Sequence, residues 1–60
     1  MNIKLDYSRL DALLERATEE NPFLEGELKA LASRLLEIRD VYRRARAINT
    51  FIDLLIALSN

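Results

Sequence analysis

Apolar residues recur at three- and four-residue intervals along almost the whole chain, and no stretch beyond "NIKLDY" at the start alternates strictly. This pattern predicts helices and no sheet. Tyr7, Leu10, Leu14 and Ala17 form one stripe, widened by Leu13, on a first helix beginning near Asp6 or Ser8. Ser8 followed by Asp11 resembles a capping box, and Ile3 and Leu5 suit a short extended lead-in. "ENPF" then interrupts the pattern. Proline pushes the preceding residue out of the helical region, so Asn21 is expected to end one helix and cap the next.

From Leu24 onward the spacing is an uninterrupted alternation of four and three: Leu24, Leu28, Leu31, Leu35, Ile38, Tyr42, Ala45, Asn49, Ile52, Ile56. That is a heptad seam, and it predicts one long second helix from Pro22 to Ser59. Toward the end the flanks become apolar as well, through Val41, Ile48, Phe51, Leu54, Leu55 and Leu58. At 1.5 Å per residue the first helix would span roughly 20 Å and the second roughly 55 Å. The short helix then covers only part of the long one, and the apolar end needs another chain. The expectation is an all-α helical hairpin, residues 1–60 as a single domain, assembling as an oligomeric bundle, foremost a dimeric four-helix bundle. The interface would comprise Leu31, Leu35, Ile38, Tyr42, Ala45, Ile48, Asn49, Phe51, Ile52, Leu55 and Ile56. An alternative breaks the helix at "NTFID", with Thr50 as cap, and folds the tail back as a short third helix. Asn49 would mark that break, or else sit buried in the seam and fix its register.

Composition supports association. Sixty residues make a marginal core, and with neither cysteine nor histidine present, disulfides and the commonest zinc ligands are excluded. The lack of cysteine is compatible with a reducing, cytoplasmic compartment. No secretory signal is expected, since residues before the first helix lack a basic region followed by an apolar stretch. The most apolar run, Ala45 to Leu58, is shorter than the ~20 residues of a membrane span, so no membrane partner is expected. Acids concentrate in residues 1–27 and bases in residues 28–60, yet the net charge is only −1. Two surfaces that complement each other fit this segregation.

Candidate chemistry is sparse. Arg39, Arg43 and Arg46, at i, i+4 and i+7, would share a face of the long helix, with Arg44 turned away and Tyr42 nearby. Such a row can track phosphates, so a small nucleic-acid-binding regulator is the second functional expectation. A solvated face paired with nearby acids is the simpler account, and arginine stems also shield the flanks of a seam. Carboxylate neighbours such as Asp11 and Glu15 lack a histidine to share a proton or a metal. Ser8, Ser33 and Ser59 lack a basic partner. No catalytic residue, metal or cofactor is expected. The aromatic–basic–alanine run of Tyr42 to Leu58, passing into an aliphatic end, resembles the short co-chaperones of type III secretion needle subunits. That resemblance implies a helical hairpin that binds another protein, and it covers less than a third of the chain. A long second helix departs from the pattern. The expected role is a non-enzymatic interaction module that binds itself or a helical segment of another protein: an adaptor, assembly factor, co-chaperone or small regulator. A designed or purely structural helical bundle is a further alternative.

Overall fold

The stripe on the first helix becomes helix, the chain leaves the helix at Asn21, and the long seam is helical but cut in two by a turn at 37–40. The computed structural model describes residues 7–59, without the side chain of Tyr7; the lead-in of Ile3 and Leu5 lies outside them. Three α-helices follow in order: α1 (Tyr7–Glu20), α2 (Glu25–Leu36) and α3 (Val41–Ser59), with a 3-10 turn at Pro22–Leu24 between the first two. No strand occurs among the described residues. Because α1 begins at Tyr7, Ser8 lies inside the first turn and not at the cap.

α1 buries Leu10 and Ala17 and half-buries Leu13 and Leu14, the stripe that its spacing defines. Its end is closed at Asn21, whose backbone N–H reaches the Ala17 carbonyl at 2.9 Å. The Asn21 side chain does not cap the following helix. Its Nδ2 instead donates to two carbonyls, Ala17 at 3.1 Å and Leu58 at 3.0 Å. One amide thus gives the Ala17 carbonyl a second donor and supplies a partner to the Leu58 carbonyl at the C-terminal end of α3. It also brings those ends together, so α1 and α3 run side by side in the same direction while α2 returns the opposite way. This contact joins residues 37 positions apart.

The expected single helix from Pro22 to Ser59 is two helices, and the reason is local. α2 closes with tightened bonds, Glu37 N–H to Arg34 O and Ile38 N–H to Leu35 O, both 3.2 Å. Asp40 then starts α3. Its Oδ1 accepts the N–H groups of Tyr42 at 2.9 Å and Arg43 at 3.1 Å, and its carbonyl accepts that of Arg44 at 2.8 Å. Aspartate is among the best N-cap residues, and its charge suits the positive end of the helix dipole. The helix does not break at Asn49–Thr50. There Thr50 sits in the helix interior and its hydroxyl donates to the Arg46 carbonyl at 3.1 Å.

Folding back changes which face of the last helix is buried. Leu10, Ala17, Leu28, Ala32, Ile48, Phe51 and Leu55 form the core, with Leu13, Leu14, Leu24, Leu35, Ile52 and Leu58 packed against it. On α3 the core row is Ile48, Phe51, Leu55 and Leu58. At about 100° per residue this row lies roughly a third of a turn from the heptad seam through Tyr42, Asn49 and Ile56. α3 packs most extensively on α1, so much of the apolar tail finds its cover within its own chain.

Substitutions at two positions measure this arrangement. Leu55→Ala should cost about 2–5 kcal/mol in urea unfolding, because a fully buried side chain leaves a cavity. Asp40→Ala should cost about 1 kcal/mol, whereas Asp40→Ser should retain most of the stability. The sign is decisive: inside an unbroken helix, alanine would be the better residue and Asp40→Ala would stabilise.

Candidate functional site

The turn at 37–40 lays α3 beside α2 and leaves a channel between them. Leu31 and Leu35 of α2 and Ala47, Thr50, Phe51 and Leu54 of α3 line an open groove of about 490 Å³. Its single polar side chain is Thr50, and that hydroxyl is already bonded to the Arg46 carbonyl. The groove therefore presents methyl groups and an aromatic ring but no free side-chain donor. Leu54 is 45% exposed and Leu31 is 40% exposed, so its rims stand open to solvent. Phe51 is itself 3% exposed and serves as both core residue and groove wall.

The residues expected at an interface fall into three groups. Ile48, Phe51 and Leu55 are buried in the chain's own core. Leu35, Ile38, Ala45, Ile52 and Ile56 are half-buried, and Leu31, Tyr42 and Asn49 are exposed. Asn49 is thus not a buried register residue within the chain. The groove gathers Leu31, Leu35 and Phe51 from that set and adds Ala47, Thr50 and Leu54, which lie off the seam. Once the core face of α3 is fixed, Ala47, Thr50 and Leu54 follow at spacings of three and four. The sequence signal for them was present but belonged to a face that the seam did not mark. A second apolar patch, Val41 and Tyr42 at 62% and 68% exposure, flanks the turn.

Arg39, Arg43 and Arg46 do not lie along one helix as expected. Arg39 lies in the turn before α3, so only Arg43 and Arg46 remain exposed along one helix. Arg44 folds back: its guanidinium donates to the Ile38 carbonyl at 3.1 Å and ties the turn to the helix. Its Nε is buried without a partner.

Between α1 and α2 a second groove, about 400 Å³, is lined by Asp11, Leu14, Glu15, Thr18, Glu19, Glu25 and Lys29. Lys29 bonds Glu25 at 2.6 Å. That hydrogen bond, and then the lysine charge, holds the Glu25 carboxyl below its usual range. Among the described residues, no group of three histidine, cysteine, aspartate or glutamate side chains is arranged to hold a metal. No helix among them is long and apolar enough to cross a membrane. No family model matches the chain, and no curated protein or solved structure matches it.

The two kinds of arginine should separate under mutation. Arg39→Ala should change stability by no more than about 0.5 kcal/mol, as for other exposed sites. Arg44→Ala should cost about 1–2 kcal/mol, since it removes a charge-assisted bond and the packing of the stem. Urea unfolding of the two variants at one protein concentration makes the comparison.

Proposed function

We propose that this chain is a small non-enzymatic protein–protein interaction module, an adaptor, assembly factor, co-chaperone or small regulator, whose α2–α3 groove receives an apolar helix. The observation that carries this reading is the groove itself. It combines open leucine rims with a lining that has no free side-chain donor. A channel flanked by two helices is the shape into which a third amphipathic helix lays its apolar face. Exposed apolar surface of this kind marks interaction sites on small soluble proteins. The polar candidates support nothing comparable. The acids of the α1–α2 groove are partly engaged by Lys29, and the arginines are spread over a turn, a rim and an internal clasp. Their dispersal, with a net charge of −1, weakens the nucleic-acid alternative, which needs a continuous positive track.

An apolar reporter dye tests the groove. In sub-micromolar protein its fluorescence should rise with wild type and fall severalfold with Leu54→Asp, while helicity stays unchanged. Absence of dye binding by folded wild-type protein would contradict an open docking groove. Duplex DNA titrated at two salt concentrations should show no steep dependence of affinity on salt; a steep slope would favour the nucleic-acid alternative.

A further inference from the structure

We propose that the occupant of the α2–α3 groove is a second copy of this chain, docked so that the two α3 helices cross antiparallel about a two-fold axis close to Thr50. This inference rests on the reading of the groove as a docking surface and adds the identity and orientation of what fills it.

The outward side of α3 carries charges of both signs. Arg46 and Asp53 are seven residues apart, so two helical turns place them on the same flank, about 10 Å from each other along the axis. Both are exposed, and neither makes an ion pair within the chain among the described residues. Thr50 lies close to midway between them and faces the groove. An antiparallel two-fold through that midpoint maps position 46 onto position 53. Each Arg46 then stands opposite Asp53 of the second copy, and the pair forms twice. The same operation sets position 54 opposite position 45, so Leu54 stands within a helical turn of Ala47 of the second copy, at the mouth of its groove. The exposed leucine rim of one chain thereby supplies apolar filling for the other. A parallel arrangement would instead set Arg46 against Arg46 and Asp53 against Asp53, and like charges across an interface disfavour it. The antiparallel contact is isologous and closes at two copies. A dimer of this kind adds the α2–α3 face to the buried surface of a chain too short to bury much alone.

Sedimentation equilibrium over a concentration series tests both the partner and its orientation. Wild type should show twice the chain mass at about 100 μM or below, a modest affinity for a small interface. Leu54→Asp should run as a single chain with unchanged helicity. Arg46→Asp and Asp53→Arg should each raise the dissociation constant about tenfold, because each loses two pairs and sets like charges together. The double variant, with Arg46→Asp and Asp53→Arg combined, should return to within about threefold of wild type, since the pair is restored with its signs exchanged. A dimer indifferent to Leu54→Asp would overturn the proposal, and so would a double variant no better than its parents. A wild-type chain that stays single would overturn it as well. In that last case the dye experiment separates the two readings. Dye binding lost in Leu54→Asp leaves a docking groove for another protein, whereas no dye binding removes the groove reading too.

Discussion

The carboxylate of Asp40 accepts two backbone N–H groups at the start of α3, and the course of the chain turns on that cap. With the cap formed, the helical stretch that began at Glu25 ends at Leu36, and a second helix starts in a new direction. The apolar tail is then delivered onto α1, where Ile48 and Leu55 become the largest fully buried side chains. At the far end Asn21 performs the complementary task, binding carbonyls of α1 and α3 with one amide. Two short polar side chains, one at each end of the molecule, therefore set the direction of three helices. Arg44 reinforces the first of them by bonding the Ile38 carbonyl across the turn. A chain with no disulfide to staple it relies on such local satisfaction of backbone groups.

The helical class, the C-terminal end of α1 and the joint at Asn21–Pro22 were legible because each has a local cause. A stripe of spaced apolar residues and a proline need no knowledge of the rest of the chain. The break at residues 37–40 was harder to read for a specific reason. The alternation of four and three passes through Leu35, Ile38 and Tyr42 without a slip, and periodicity records which residues are apolar, not whether the backbone between them turns. An aspartate at position 40 was the available signal, but with an arginine three residues on it lacked the glutamate of a full capping box. Asn49–Thr50 looked more like a cap and proved to be helix interior, with the Thr50 hydroxyl directed to the Arg46 carbonyl. Local propensity yielded there to tertiary packing, since Ile48, Phe51 and Leu55 can meet the core together only on a continuous helix.

The candidate site was less legible than the fold, and the cause is geometric. A seam defined for an unbroken helix puts Tyr42, Asn49 and Ile56 at its centre, yet packing against α1 rotates the buried face toward Ile48, Phe51 and Leu55. That rotation turns Ala47, Thr50 and Leu54 toward α2 and builds the groove. The expected arginine row failed through the same event, because the break removed Arg39 from the helix that carries Arg43 and Arg46. Residues chosen by their position on one helix are regrouped when that helix becomes two.

Phe51 connects the groove to the stability of the fold. Its ring is almost wholly enclosed, yet it also forms part of the channel wall beside Leu31 and Leu54. The channel has no existence on an isolated helix; α2 and α3 must lie together, and the cap at Asp40 and the core around Phe51 hold them so. Any occupant of the groove consequently binds the folded arrangement and not the open chain. By linkage such an occupant stabilises the fold, and does so more as its concentration rises above its Kd. A core that includes only a few large side chains and two alanines gains more from that coupling than a large domain would, because its own reserve is small. The same shortage of buried surface that makes the chain marginal thus gives a bound helix leverage over whether it stays folded.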